Sequence, residues 1–225
     1  DRIIRAQRAS GKALKDFDRL QMCGGFPWCI ASIPIPSWAR RVFPDKGEEE
    51  AVAALWDAIL KAVRVTGDDR AVERWREHLA TLDARLEKLN ALRLKTLHYQ
   101  NALGTDLTVE LPEGHVWESG GDRTLSGRSY IANMPTEEIF TSPLKTGANG
   151  VVYSSMPLVH DGNVIDGFHF VVREGRIVEA HARQGEETLR AAISVDEGAS
   201  YFGELALVPY DSPISNSGML FYNTL

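Results

Sequence analysis

Apolar residues recur every three or four positions in a long stretch without proline, between Pro44 and Pro112. This spacing is that of one face of an amphipathic helix. The first set of such positions is Val52, Leu55, Trp56, Ile59, Leu60 and Val63. Gly67 ends this helix, and Asp68 can cap the next one. The second set is Val72, Trp75, Leu79, Leu82, Leu86 and Leu89, so the pattern predicts a helical hairpin.

The second apolar stripe has two interpretations. A coiled-coil seam needs apolar positions sustained over several heptads, and the stripe covers fewer than three. We therefore expect the helix to pack onto a neighbouring domain, with a coiled-coil seam as the alternative.

After Gly104 the period of the apolar positions changes to two. Leu107, Val109 and Leu111 alternate with polar residues until Pro112, which predicts a strand. Strands also fit residues 150–158, 164–172 and 177–182, and the last two form a hairpin. Residues 184–193 are predicted to form a short helix, and residues 205–208 a buried strand.

The fold class that these elements predict is α/β. Residues 1–47 are rich in proline and are expected to be irregular, with one short helix near Lys12 to Leu20. The chain divides near residue 95 into a helical part, residues 1–95, and a mixed α/β part, residues 96–225.

Composition narrows the class of protein. The chain has 225 residues, of which 44% are hydrophobic and 25% charged, as in ordinary globular proteins. Its net charge of −6 predicts no nucleic-acid partner and no anionic membrane surface as partner. No apolar stretch approaches the length of a membrane span, and the N-terminus has no secretion signal. We expect a cytoplasmic protein in which Cys23 and Cys29 are reduced, structural thiols.

Candidate chemistry rests on acidic residues, because the chain has no phosphate-binding glycine loop, serine-hydrolase elbow, His-Glu-x-x-His or Cys-x-x-Cys motif. Between Pro135 and Pro143, Glu137 and Glu138 are neighbours in a setting that would suit a divalent cation. The alternative is that Thr136 caps a helix and the two glutamates complement its dipole.

The second acidic site is Glu204, which leads directly into the apolar run at residues 205–208. A buried carboxylate must be paired, hydrogen-bonded or bound to metal. A metal site and an ion pair with an arginine are both open here.

Histidines and other aspartates give a weaker signal. No two of the six histidines are three or four residues apart, so each is expected to be a surface or core residue. Asp106 is expected to stabilise its own turn beside Gly104 and Thr105.

Several of these motifs, in order, resemble the leucyl aminopeptidase T family of thermophilic-type metalloaminopeptidases. The resemblance covers essentially the whole chain. Its motifs are the helix with Trp75, His78, Leu82, Arg85, Leu89 and Asn90, then Gly104-Thr105-Asp106-Leu107, Pro135-Thr136-Glu137-Glu138, Asp196-Glu197-Gly198, the segment 203–209 (Gly-Glu-Leu-Ala-Leu-Val-Pro) and Asn223-Thr224-Leu225.

The resemblance implies an enzyme that removes N-terminal residues from peptide substrates with two divalent metal ions, which could be zinc, cobalt, manganese or magnesium. It carries metal-ligand roles to Glu138 and Glu204, with Glu137 as the alternative at the first position. It also implies a homodimer whose subunits have two α/β domains, of which this chain holds the helical end of the first and most of the second.

The resemblance further implies that the chain is a fragment. The family's other metal ligands, two histidines, a tyrosine and an aspartate, are expected downstream of Leu225, and part of the first domain upstream of Asp1. The general base is not identifiable from the chain, and Glu137 is one candidate. Two alternative functions stay open: a non-catalytic paralogue that dimerises or binds peptides, and a metal-dependent hydrolase of another substrate.

Overall fold

The computed structural model describes residues 10–11, 13–160 and 162–222, which fall into two compact units. The first unit contains the described residues up to 33 together with residues 120–136. The second contains residues 34–119 and the described residues from 137 onward. The boundary near residue 95 falls inside the second unit, and the division into residues 1–95 and 96–225 stays a prediction.

The elements are named in chain order. The helices are α1 (Lys15–Met22), α2 (Pro36–Val42), α3 (Glu48–Ala62), α4 (Ala71–Leu92), α5 (Glu186–Ala192) and α6 (Pro213–Ser217). The strands are β1 (Ile30–Ala31), β2 (Thr96–Gln100), β3 (Asp106–Glu110), β4 (Glu118–Ser119), β5 (Gly121–Arg123), β6 (Ser129–Ile131), β7 (Asn133–Met134), β8 (Ile139–Thr141), β9 (Ala148–Tyr153), β10 (Leu158–His160), β11 (Asn163–Arg173), β12 (Arg176–Gln184) and β13 (Leu205–Leu207). The mixed α/β class is confirmed.

The first unit is built from α1 and two small strand pairs. Strands β1 and β7 are parallel, and β5 and β6 form an antiparallel hairpin. The predicted short helix is confirmed as α1, although Lys12 lies outside the described residues. The closing motif at residues 223–225 lies outside them as well.

The proline-rich start of the second unit is more regular than predicted. Helix α2 begins at Pro36, in the first turn, where the missing N–H of proline costs no hydrogen bond. The expectation of an irregular segment with a single short helix is therefore wrong for this stretch, because the proline starts a helix there.

Helices α3 and α4 confirm both amphipathic patterns, but they do not form the predicted hairpin. Helix α3 packs mainly on α2, and α4 packs on β4 and β8. Helix α3 ends at Ala62, before Gly67, and Asp68 accepts a hydrogen bond from the Arg70 N–H (3.1 Å) without capping α4.

The apolar stripe of α4 packs against strands of its own unit. Leu82 is completely buried in one core cluster with Leu107, Val109, Trp117 and Ile139. The stripe is thus a packing face, and the coiled-coil alternative is wrong.

The larger sheet of the second unit has six antiparallel strands in the order β10-β11-β9-β3-β2, with β12 also paired to β11. The predicted strands at residues 107–111, 150–158, 164–172 and 177–182 correspond to β3, β9, β11 and β12, and the predicted helix at residues 184–193 to α5. Leu107 and Val109, which alternate with polar residues, are both buried, as the period of two predicts.

A smaller antiparallel sheet has the order β13-β8-β4. The predicted strand at residues 205–208 exists as β13, but only Leu205 in it is buried. The expectation of a buried strand is wrong, because Ala206 faces solvent on the side opposite to Leu205 and Leu207.

Two expectations drawn from composition can be compared with the structure. Among the described residues, no helix combines the length and apolar character that crossing a bilayer requires. Cys23 and Cys29 are free thiols, as predicted, but both are exposed, so they are not core residues.

The turn between β11 and β12 yields a first testable prediction. Gly175 has φ 78°, and a Cβ there would lie 1.7 Å from the carbonyl oxygen of Lys145. We expect Gly175→Ala to lower the free energy of unfolding by about 3 kcal/mol, since left-handed strain adds to a backbone overlap. Denaturant unfolding of the purified protein measures this change.

The matched control is Gly114→Ala. Gly114 has φ 76°, but no atom lies within 4 Å of its would-be Cβ, so only strain of about 1 to 2 kcal/mol is expected. Equal losses at the two positions would contradict the overlap as a cause.

Candidate functional site

The two predicted ligands flank paired strands of the smaller sheet. Glu138 immediately precedes β8, and Glu204 immediately precedes β13. These strands are antiparallel, with Ala206 opposite Phe140 and Leu207 opposite Ile139.

This register places the two glutamates on one face of the sheet. Directly opposite residues share a face, and side chains alternate along each strand. Glu138 therefore lies on the side of Phe140, and Glu204 on the side of Ala206. Glu118 of β4 is also opposite Phe140 and belongs to this face, which we call the glutamate face (Glu118, Glu138 and Glu204).

Glu138 and Glu204 influence each other electrostatically. Glu138 is half-buried, and its pKa is raised from the ordinary value, first by desolvation and second by the negative charge of Glu204. In the described part of the chain, no lysine or arginine is paired with either carboxylate. Two carboxylates that repel each other without a protein cation fit a divalent metal ion, which prefers such oxygen ligands.

The environment of Glu204 differs from the prediction. Its side chain is exposed, so the argument from burial is wrong for this residue. The alternative of an ion pair with an arginine finds no support among the described residues. What remains is the shared face and the electrostatic influence of Glu204 on Glu138, and the role of Glu204 as a ligand stays a prediction.

Glu137 faces the opposite side of the segment. Its carboxylate accepts two hydrogen bonds from Arg64, from Nη1 to Oε1 (2.5 Å) and from Nη2 to Oε2 (3.0 Å). The exposed fraction of the Glu137 side chain is 6% and that of Arg64 is 17%. His78 Nε2 lies 3.8 Å from Glu137 Oε1. With both oxygens engaged, Glu137 is poorly placed to bind a metal or to act as the general base.

The helix-cap alternative for this segment is wrong. Residues 135–138 carry no helix, and β8 begins directly at Ile139. Extended backbone explains why Glu137 and Glu138 point to opposite sides.

Glu137 and Arg64 also line an open cleft of about 350 Å³ between α4 and the segment that leads to α6. Arg74 and Asp211 belong to its walls. Arg74 forms an ion pair with Asp68, and Arg64 with Glu137, so the cleft carries little uncompensated positive charge from these two arginines.

The donor set among the described residues is incomplete. Within the ranges that the structure covers, no group of three or more histidine, cysteine, aspartate or glutamate side chains is placed to hold a metal ion. The glutamate face contains two of the predicted ligands, Glu138 and Glu204.

Asp106 does not stabilise the turn as predicted. It binds the ring of His98 through Nε2 (2.7 Å), which lowers the pKa of the Asp106 carboxyl. The turn is instead held by Asn101, whose Oδ1 accepts hydrogen bonds from the N–H groups of Leu103 (3.0 Å) and Thr105 (3.1 Å).

One histidine pair was missed because its members are far apart in sequence. His169 of β11 is opposite His181 of β12, with 5.1 Å between ring centroids, and stacks on Tyr153 of β9 on its other side (4.7 Å). The pairing needs the register of three strands, which spacing along the chain cannot supply.

Comparison with known proteins identifies relatives over the whole chain. A family model described as "Thermophilic metalloprotease (M29)" matches residues 1–225. The chain is 46% identical over 224 residues to aminopeptidase AmpS of Bacillus subtilis, covering 100% of the chain and 54% of the relative. It is 41% identical over 227 residues to aminopeptidase T of Thermus thermophilus, covering 55% of that relative.

A solved structure shares the fold. The structure of wild-type AmpT from Thermus thermophilus superposes with a TM-score of 0.88 at 40% sequence identity, covering 99% of this chain and 54% of that one. The chain thus spans about half the length of the curated relatives it matches.

Proposed function

Because the chain belongs to the thermophilic metalloprotease (M29) family, we propose that the protein containing it is an aminopeptidase that releases N-terminal residues from peptides with two divalent metal ions. The names of the relatives, among them aminopeptidase AmpS and aminopeptidase T, support the reaction class. A cytoplasmic homodimer remains part of the proposal.

The observation that carries this proposal is the pair of carboxylates on the glutamate face with which no lysine or arginine of residues 10–11, 13–160 and 162–222 forms an ion pair. We assign metal-ligand roles to Glu138 and Glu204. Desolvation first, and the charge of Glu204 second, disfavour ionised Glu138 in the absence of a cation, and a bound cation would offset both effects.

Glu137 is the weaker candidate for the same role. Both of its oxygens are held by Arg64, and a metal would have to displace a half-buried guanidinium to reach them. The geometry therefore favours Glu138 at the first position of the motif.

Divalent ions bound at such a site would supply Lewis acidity toward the scissile carbonyl and lower the pKa of a bound water. The contribution of this chain is negative charge at fixed positions. Glu138 is held there because it lies between Glu137, which is ion-paired, and Ile139, which is 4% exposed in the core. Zinc, cobalt, manganese and magnesium all accept carboxylate ligands.

The test is hydrolysis of an unblocked dipeptide by the whole protein. After treatment with a chelator we expect no cleavage, and addition of Co²⁺ or Zn²⁺ should restore it. An N-acetylated copy of the same dipeptide is the control, and it should stay intact because an aminopeptidase requires the free amine. Product release is measured by chromatography.

Two results would contradict the proposal. Cleavage of the acetylated dipeptide at the same rate would indicate another class of hydrolase. A folded, metal-loaded protein that cleaves none of a broad set of unblocked peptides would favour the alternative of a peptide-binding or dimerising protein.

A further inference from the structure

The ion pair between Arg64 and Glu137 has no role in the function proposed so far. Glu137 is buried and Arg64 half-buried, with 6% and 17% of their side chains exposed. Its two hydrogen bonds form the fork that a guanidinium makes with a carboxylate. Its members are 73 residues apart in sequence, so it joins the loop between α3 and α4 to the segment that carries Glu138.

Arg64 is itself anchored at the connection between α3 and α4. Its backbone has φ 62° just after α3, and its carbonyl oxygen accepts a hydrogen bond from Arg74 Nη1 (3.3 Å). Its guanidinium lies 5.9 Å from the ring centroid of Trp75, and Trp75 Nε1 donates to the carbonyl oxygen of Val63 (2.7 Å). The guanidinium that holds Glu137 is therefore held in turn by the junction between α3 and α4.

Strand pairing does not fix the segment that carries Glu138. Residues 135–138 have no regular secondary structure, so no ladder of backbone hydrogen bonds fixes this segment before β8. Such a segment can turn its side chains away from the glutamate face unless its neighbouring residues are fixed.

The anchors on either side of Glu138 oppose this movement. Glu137 is fixed by Arg64, and Ile139 is buried in the core on the same side of the segment. In extended backbone the residue between two neighbours points to the opposite face, so fixing both neighbours directs Glu138 toward the glutamate face.

We infer that Arg64 and Glu137 are positioning residues, which hold Glu138 in the direction required for a metal ligand. This inference rests on the proposed function. It gives the two glutamates of the motif different roles. Glu137 binds Arg64, and Glu138 binds the metal ion.

The experiment compares Glu137→Gln, Arg64→Gln and Arg64→Lys with the unchanged whole protein after removal of metal. Co²⁺ is titrated into each and followed by calorimetry, and kcat and KM are measured on the unblocked dipeptide. We expect Glu137→Gln and Arg64→Gln to weaken Co²⁺ binding by about 10- to 100-fold, the range typical of residues that support a metal ligand. Arg64→Lys keeps the charge without the fork, so it should bind Co²⁺ more tightly than Arg64→Gln and less tightly than the unchanged protein.

Ile165→Ala is the control for a general loss of stability. Ile165 is completely buried in a separate core cluster with Ala180 and Leu189. We expect this variant to lower the melting temperature at least as much as Glu137→Gln while Co²⁺ affinity stays unchanged. The same loss of affinity in both variants would show that stability alone is responsible and would overturn the inference.

The outcomes separate this inference from the proposed function. If the unchanged protein binds Co²⁺ and cleaves the dipeptide, and the Glu137 and Arg64 variants bind Co²⁺ equally well, only the positioning role is overturned. If the unchanged protein neither binds Co²⁺ nor cleaves the dipeptide, the proposed function itself fails.

Discussion

Glu204→Gln in the whole protein is expected to lose bound metal and aminopeptidase activity together. An amide oxygen carries no net charge and is a much poorer ligand for a divalent cation than a carboxylate. Replacing a residue that only supports a ligand lowers metal affinity by about 10- to 100-fold, and replacing a ligand should lower it further. Metal content after gel filtration and kcat/KM on the unblocked dipeptide are the two measurements, and Glu138→Gln should behave in the same way.

Glu118→Gln is the matched control for this pair. Glu118 lies on the same face, directly opposite Phe140, and it is a glutamate with no predicted ligand role. We expect this variant to keep its metal. An equal loss in all three variants would mean that the summed negative charge of the face attracts cations, without specific ligation.

The melting temperature of the metal-free protein provides an independent test of the ligand role of Glu138. The pKa of Glu138 is raised by desolvation and by Glu204, which means that its ionised form is disfavoured in the fold. At neutral pH the neutral amide of Glu138→Gln should therefore raise the melting temperature of the metal-free protein while it abolishes metal binding. A residue kept for stability would lower the melting temperature when it is replaced.

The secondary structure that carries the site was predictable where the pattern extended over many residues. Helix α4 has 22 residues with a continuous apolar stripe, and β11 has 11 residues. Patterns of this length average over local exceptions such as Val72, which is 62% exposed.

Strand β8 was not predicted, because it is too short to show a pattern. Strand β8 has three residues, and the segment before it carries the signature of a helix cap, Thr136 followed by two acidic residues. Three residues show no period, so local capping signals dominate the prediction. Pairing with β4 and β13, which is non-local, decides the outcome.

The site was predicted at the level of residue types and motifs, and its geometry was not. Register explains why Glu138 and Glu204 share a face, and register depends on partners more than 60 residues away in sequence. The same holds for the partner of Glu137, since nothing in the local sequence around Arg64 indicates a buried carboxylate. Spacing along the chain can propose a pair of ligands, but it cannot distinguish Glu137 from Glu138.

Arg64→Met is expected to be among the most destabilising single changes in the second unit. It removes the guanidinium and leaves Glu137, which is 6% exposed, without its cation. Loss of one partner of a buried ion pair costs about 3 to 5 kcal/mol, and the partial exposure of Arg64 favours the lower end of this range. Denaturant unfolding of the metal-free whole protein measures the loss.

The double variant Arg64→Met/Glu137→Met separates the contribution of this ion pair to stability from its contribution to metal binding. Hydrophobic residues of similar volume often replace a buried ion pair without loss of stability, so most of the unfolding free energy should return. Co²⁺ affinity should not return with it, because methionine side chains pack without the directional fork that fixes residue 137 and, through it, Glu138. If both the unfolding free energy and the Co²⁺ affinity return, the segment needs only apolar packing at these two positions. If the unfolding free energy alone returns, the ion pair is needed for the direction that it imposes on Glu138.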